Sequence, residues 1–436
     1  MLNRSLLLSG EGSKAAKQYI GIPGEQGFGV GCYGGDPASL DAMGLRPLDG
    51  CGDPTSENYG NYIHTNGSVM VYIPAFVYRI GRSTAPSHSR DGANALEIKD
   101  ALEMGLPTES MESGWSPGDG WTLHRAFIDG KTVQYGFFID KYLCSKSASD
   151  RNIPVSVKNG RAISLSDSYE DSRSMTGCSG VLTDAVTLGR SRGNNYSLVT
   201  AFQWSALAML SLAHGQAAES TQNCAWYDPY RRTNFPKGCN LNLKDENDQS
   251  VSFTENSTYT LTSTTGSGIP FAKTTHNGQP SGVTDVNGCM LQVVAGIYFA
   301  SSWWPRPAID EMRANRWRPP MINMAEVQMA TDRVSERMTN AKWGAPEIGA
   351  FPTESTGELR ACCGVHPSEG GCSEAGTDLF GTDMVRGGGS GFNYAPLVAG
   401  SHHDGVDAGI WYRNSNRRDW SYGDTDISFR IAGYAN

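Results

Sequence analysis

Ser68-Val69-Met70-Val71-Tyr72-Ile73-Pro74, with Phe76-Val77-Tyr78-Arg79-Ile80 directly behind it, is the stretch that sets the fold class of this chain. Both runs are β-branched and aromatic, which suits a pleated, half-buried surface, and the proline between them marks an edge or a bend. A third run of the same kind covers residues 135–143, from Tyr135 to Leu143. Working outward, residues 200–214 predict an amphipathic helix entered at Thr200, with one apolar face and Gly215 as its stop. Residues 95–104 predict a second helix, capped by Asn94 and stopped by Gly105. Residues 321–340 predict a third, more exposed one. Shorter strand-like pieces follow at 291–294, 384–386, 410–412 and 427–431. No internal repeat occurs. The expected product is an α+β fold with few helices and long loops, carrying polar insertions near 145–195, 216–280 and 305–380.

Composition narrows the function. The chain has 436 residues, enough for two or three ordinary domains or one core with large insertions. Charged residues are only 19%, while 10 Trp, 18 Tyr and 14 Phe can fill a core, so the chain is globular and rich in loops. The 52 glycines point to irregular backbone. A net charge of −9 argues against a nucleic-acid groove or an anionic membrane surface. No stretch approaches the roughly 20 apolar residues that span a bilayer. Leu6-Leu7-Leu8 is too short for an export signal, so the default is synthesis in the cytosol with reduced thiols. The ten cysteines are dispersed. Cys362, Cys363, His366 and Cys372 are a zinc candidate whose spacing departs from the usual paired pattern.

In order along the chain, five landmarks resemble the formylglycine-generating-enzyme branch of the C-type lectin fold. They are the strand Met70–Pro74, the strand Gly136–Tyr142, the helix entry Ser197–Trp204, the turn Gly282–Gly288, and the finish from Arg386-Gly387-Gly388-Gly389-Ser390 to Ile427–Ile431. The resemblance implies a C-type-lectin-like domain over 66–436, preceded by an irregular segment, 1–65, for attachment or oligomerisation. The departures bear on chemistry. Enzymes of that family carry reactive cysteines after the Arg-Gly-Gly-Ser-like motif, and 390–436 holds none. The iron-dependent sulfoxide synthases of the same fold need a histidine cluster, whereas the eight histidines here are scattered. The Trp-Glu-Trp that usually follows the Asn-Gly turn is replaced by Cys289-Met290-Leu291-Gln292-Val293. The expectation is therefore a non-enzyme with no cofactor.

A narrower resemblance is to the variable proteins of diversity-generating retroelements, which use this fold at phage tail-fibre tips. Their variable region would correspond to 389–430, and Gly21–Gly31 and Asn58–Tyr62 also look like phage tail proteins. This implies a receptor-binding protein of a phage or prophage tail fibre, made in the bacterial cytoplasm and located in the virion. Its partners would be a bacterial cell-surface receptor (protein or glycan) and other tail proteins. A homotrimer is implied, with no nucleic-acid partner and no membrane insertion. The alternatives are an oxidase-like or sulfoxide-synthase-like enzyme, or a carbohydrate-binding virion module that does not vary.

The residues before the final strand support binding on their own account. Between Ser390 and Asp426 lie Phe392, Tyr394, Trp411, Tyr412, Trp420 and Tyr422, together with His402, His403, Arg413, Arg417 and Arg418, and neither Lys nor Glu. Contact surfaces are enriched in these aromatics and Arg and depleted in Lys and Glu; paratopes add Ser, Gly and Asn. Asn393, Asn414 and Asn416 supply that adaptable polar component. Trp411 and Phe429 suit the core equally well, because strand alternation buries one face only. His402-His403-Asp404 with Asp407 is a candidate divalent-metal group, weakened because adjacent strand residues point to opposite faces. Whether or not metal binds, Asp404 and Asp407 belong with the expected ligand surface. Asp424 and Asp426 are a calcium candidate whose likelier chemistry is hydrogen bonding within a turn.

Overall fold

Alternation and branching do place strands where expected, but the two opening runs part company at Pro74. The computed structural model describes residues 19–92, 95–106, 117–129, 132–148, 153–165, 181–218, 222–226, 238–240, 242–256, 262–295, 297–298, 322–323, 373–374, 385–386, 397–414 and 426–435. In chain order the strands that matter here are β1 (Leu45–Pro47), β2 (Asn61–His64), β3 (Val69–Pro74), β4 (Phe76–Ile80) and β5 (Leu96–Asp100). They continue with β6 (Thr122–Leu123), β7 (Gly136–Asp140), β8 (Tyr196–Leu198), β9 (Leu291–Val293) and β10 (Leu397–Val398). The last three are β11 (Arg413–Asn414), β12 (Ile427–Ser428) and β13 (Ile431–Gly433).

The main sheet is antiparallel throughout, in the order β1-β2-β3-β7-β13-β8. Met70 faces Asp140 and Pro74 faces Gly136, so the two most hydrophobic runs form its centre. Gly136 is required there, because a Cβ would lie 2.5 Å from both the Ile73 carbonyl and the Tyr72 hydroxyl. After Pro74 the chain turns out of this sheet, and β4 pairs with β5 and β6 in a smaller one. A second six-stranded sheet contains β11-β10-β9-β12, continued beyond β11 by Val385–Arg386 and Ser373–Glu374.

The helix Ala201–Ala217 packs against β5 and the 3-10 turn Arg125–Phe127, and it is buried along its whole length to Gln216 rather than on one face as expected. Its entry is a reciprocal cap. The Thr200 hydroxyl accepts from Gln203 N (3.0 Å), and Gln203 Oε1 accepts from Thr200 N (3.0 Å). Such a cap is worth about 1 kcal/mol. Gly215 does not stop the helix, since packing on all sides outweighs the small cost of a helical glycine.

Four expectations are corrected. Residues 96–100 are a strand, not a helix, because Leu96, Ile98 and Asp100 turn inward while Lys99 is exposed, a period of two. The boundary at residue 65 does not separate two units: β1 and β2 belong to the main sheet, and Ile20, Phe28 and Val30 are in the same core. The polar stretch 145–195 contains a hairpin, Cys144–Lys146 with Pro154–Ser156, and the helix Val181–Arg190. Within the helix expected at 321–340, Ile322–Asn323 pair as a strand with Ile297–Tyr298, and the rest lies outside the described residues.

The expected final strand 427–431 is really two. β12 runs parallel to β9 in the second sheet, and β13 joins the main sheet. Phe429 and Arg430 cross between the sheets and are buried. The Arg430 guanidinium donates to Gln292 Oε1 (2.8 Å), to the carbonyls of Asp140 (2.9 Å) and Lys141 (3.1 Å), and to the Thr284 carbonyl. Beside it, Asp140 is ion-paired with Arg192, and its other oxygen accepts from Ile431 N (3.0 Å). Asp285, at φ +55, accepts from Gly266 N (2.9 Å) and Leu143 N (3.2 Å). Burial raises its pKa, and the charge of Arg430 opposes that rise.

Candidate binding surface

The described part of the expected ligand surface is a turn hung between two short strands. β10 pairs antiparallel with β11, Leu397 opposite Asn414, and with β9 on its other side. The turn begins with Ala399 and Gly400 both at positive φ, +74° and +75°. Gly400 is needed because a Cβ would lie 2.7 Å from the Ala408 Cα. The Ala399 carbonyl accepts from Gly288 N (3.0 Å) and Gly409 N (2.9 Å), which ties the base of the turn to the Asn-Gly turn before β9.

Above that base the chain makes a compact tip. Ser401 N donates to Asp404 Oδ2 (2.7 Å), and Gly405–Asp407 form a short 3-10 turn. His402 points inward. Both its backbone N–H (3.2 Å) and its Nδ1 (3.0 Å) reach the Cys289 carbonyl, and since a carbonyl only accepts, Nδ1 carries the proton. His403 is exposed, its ring centroid 4.0 Å from that of His402. Asp404 and Asp407 are half-buried, and Val406 is 48% exposed. A Cβ on Gly405 would lie 3.9 Å from Glu246 Oε1, so the segment around Glu246 borders the tip.

The structure withdraws three residues from the expected surface: His402, Tyr412 and Asn414 are buried, as is Trp411. The physical reason is the helix beneath. Trp204 Nε1 donates to the Ile410 carbonyl (3.0 Å), which holds 410–412 against the buried helix. Asn414 Nδ2 then finds the Tyr412 hydroxyl (3.1 Å) inside the protein. His403, Asp404 and Asp407 remain at the surface, and Val406 joins them, a residue that aromatic and charge patterning did not single out. Arg413 supplies backbone to β11, and its side chain is outside the description. Phe392, Asn393, Tyr394, Asn416, Arg417, Arg418, Trp420 and Tyr422 lie outside the described residues, as does the zinc candidate Cys362, Cys363, His366 and Cys372.

Chemically, the tip offers an imidazole, two carboxylates and an apolar side chain, which suits contact and hydrogen bonding. Among the described residues no group of three His, Cys, Asp or Glu is placed to hold a metal ion. No described helix is long and apolar enough to cross a membrane. Lys141 is the described residue closest in character to a catalytic amine, since burial lowers its pKa to about 7. Its Nζ nevertheless donates to Asn61 Oδ1 (2.6 Å) and to the carbonyls of Pro280 (2.8 Å) and Glu57 (3.3 Å), so its three donors are engaged.

Neither a family model nor a curated protein matches the sequence. Among solved structures, the chain is similar to the Major Tropism Determinant U1 variant at 10% identity and a TM-score of 0.28, over 84% of this chain. The M1 variant is similar at 11% identity and the same TM-score. The chain spans 63% of the length of both. PvdO from Pseudomonas aeruginosa is similar at 12% identity and a TM-score of 0.29, over 85% of this chain and 95% of its own length.

Proposed function

We propose that this chain is a non-catalytic binding protein on a C-type-lectin-like scaffold, and that it serves as the receptor-binding protein of a phage or prophage tail fibre. The ligand surface comprises the tip His403–Asp407 with the segments 387–396 and 415–425. The observation that carries this reading is the lysine- and glutamate-free, aromatic- and arginine-rich composition of 390–426. Trp411 and Tyr412 are buried in the core, and on this reading Phe392, Tyr394, Trp420, Tyr422 and the arginines make the contacts. β11 and β12, which precede and follow 415–425 in the chain, belong to the same sheet. Fixed ends lower the entropy lost when a loop binds. Several copies on one fibre would add avidity to a weak single contact.

Hot-spot Trp, Tyr and Arg residues each contribute about 2 kcal/mol or more to binding. Alanine at Arg417, Arg418, Trp420 and Tyr422 together should therefore reduce attachment of the purified, fluorescently labelled chain to intact host bacteria by about 100-fold or more. Thermal unfolding should be unchanged. Attachment at the parental level would place the surface elsewhere. The retroelement part of the proposal has its own test in the gene's neighbourhood. A near-copy of codons 389–430, differing mainly at adenines and lying beside a reverse transcriptase, is expected; without it, adhesion stays fixed in sequence.

A further inference from the structure

The described cysteines include two neighbouring pairs, Cys32 with Cys51 and Cys239 with Cys289; burial raises the pKa of Cys239, whereas in the first pair one thiol is lowered. Two backbone approaches bring the first pair together. Gly31 N donates to the Tyr72 carbonyl (3.2 Å), and Tyr72 N donates to the Gly60 carbonyl (2.9 Å), so residues 31 and 60 both lie against β3. They touch so closely that a Cβ on Gly60, itself at φ +65, would lie 2.5 Å from the Gly31 carbonyl oxygen. Gly60 N in turn donates to the Cys51 carbonyl (2.9 Å). Cys32, one residue beyond Gly31, therefore meets Cys51, and its Sγ donates to the Cys51 carbonyl (3.0 Å).

Each thiol therefore shifts the titration of the other. Tyr62 completes the group: its hydroxyl accepts from Tyr33 N (2.8 Å), and its presence lowers the Cys51 pKa. These contacts divide the roles. The neighbouring Cys32, followed by Tyr62, lowers the pKa of Cys51 against the opposing effect of burial, whereas Cys32 is raised. Both sulfurs are buried, but they lie just beneath a surface loop in which Asp49, Gly50 and Gly52–Thr55 are exposed. Cys144 provides the contrast. It is buried against the Asp140 carboxylate (3.2 Å) and its pKa is raised by burial.

We propose that Cys32 and Cys51 form a reversible disulfide that staples the N-terminal segment to the 48–58 loop when the protein meets a small disulfide oxidant. The Cys51 thiolate attacks one sulfur of the oxidant and expels the other half as a thiolate. Cys32 then attacks the Cys51 sulfur of the mixed disulfide, gives up its proton to the leaving thiolates, and expels the second half. One S–S bond forms in the protein and one breaks in the oxidant, which takes up two protons and two electrons. With the Cys32 sulfur already 3.0 Å from the Cys51 carbonyl oxygen, side-chain rotation is the chief motion that brings the two sulfurs to the roughly 2.0 Å of an S–S bond.

The test uses the full chain and glutathione disulfide. After incubation, free thiols are capped with N-ethylmaleimide, and the protein is digested and analysed by mass spectrometry without reductant. The expected result is one linked species joining the Cys32 and Cys51 peptides, two hydrogens lighter than their sum and released by dithiothreitol. Cys144 should remain a thiol. In Cys32→Ser the linked species is lost and glutathione stays on Cys51; in Cys51→Ser both the link and the adduct are lost. Recovery of both cysteines as maleimide adducts from the treated parental chain would overturn the proposal. So would glutathione held on Cys51 in that chain without the linked species.

Discussion

Replacing Arg430 with methionine is expected to cost the fold about 3–5 kcal/mol, a third or more of the stability of an ordinary domain. The size follows from what the guanidinium joins. It donates to the ends of β7, to the Thr284 turn and to Gln292 on β9, all in the buried crossing between the two sheets. Methionine can fill much of the volume but satisfies none of those acceptors. It also leaves the buried Asp285 carboxylate without its nearby positive charge. Lysine should rescue little, because one ammonium cannot span acceptors that a planar five-donor fork reaches together. Urea denaturation followed by tryptophan fluorescence measures the loss. A cost below about 1 kcal/mol would mean that the crossing is held by apolar packing rather than by this hub.

Acid should release the N-terminal segment. His214 Nδ1 accepts from Gly24 N (3.0 Å), and its Nε2–H donates to the Asn223 carbonyl (2.9 Å). His276 Nδ1 accepts from Val283 N (3.0 Å), and its Nε2–H donates to the Gly29 carbonyl (3.2 Å). Each ring is therefore neutral, and protonation would set N–H against N–H. Burial lowers their pKa values to about 4 and about 3 from an unfolded value near 6.5. The nearest charges confronting His276 are His214 and Arg430, both of which further disfavour its cation.

The sign follows from those directions. Below pH 6.5 the unfolded chain takes up protons that the folded histidines refuse, so their contribution is complete above 6.5 and falls as pH drops towards 3. At pH 4 the two together forfeit about 7 kcal/mol, at about 1.4 kcal/mol per unit. Asp100 works the other way. Burial raises its pKa to about 6, so its folded form binds a proton first and returns about 3 kcal/mol over the same interval. Lys141 is charged in both states below pH 7 and drops out. For these three groups the expectation is a loss of about 4 kcal/mol between pH 6.5 and 4; His64, lowered by burial, adds to it, and Asp285, raised by burial, offsets it. His276→Gln should flatten the slope of stability against pH by about 1.4 kcal/mol per unit. An unaltered slope in that variant would remove His276 from the account.

Much of the framework was legible because it depends on local pattern. The runs at 69–74 and 136–140 are mostly β-branched or aromatic, and the Thr200/Gln203 cap announces the central helix. Leu96–Asp100 was misread because an asparagine before an apolar pair and a glycine after it imitate helix punctuation, although Leu96, Ile98 and Asp100 already alternate. Tyr412 and Asn414 were misplaced for a different reason. Their burial depends on Trp204, about two hundred residues earlier, and no local feature reports that contact. Arg430 carried a visible signal that went unused: an arginine inside the run Ile427–Ile431, with Phe429 and Ile431 on either side, must have buried acceptors if that run is core.

Hydroxyl-radical footprinting tests the central claim most directly, because oxidation of tryptophan and tyrosine reports their exposure residue by residue in the intact chain. Trp411 and Tyr412 serve as internal standards for burial. If the segment before the closing strand is a contact surface, Trp420 and Tyr422 will be oxidised many times faster than that pair, and bound bacteria will suppress the difference. If Trp420 and Tyr422 are as protected as Trp411 in the free protein, those side chains belong to the interior and the binding surface proposed here does not exist.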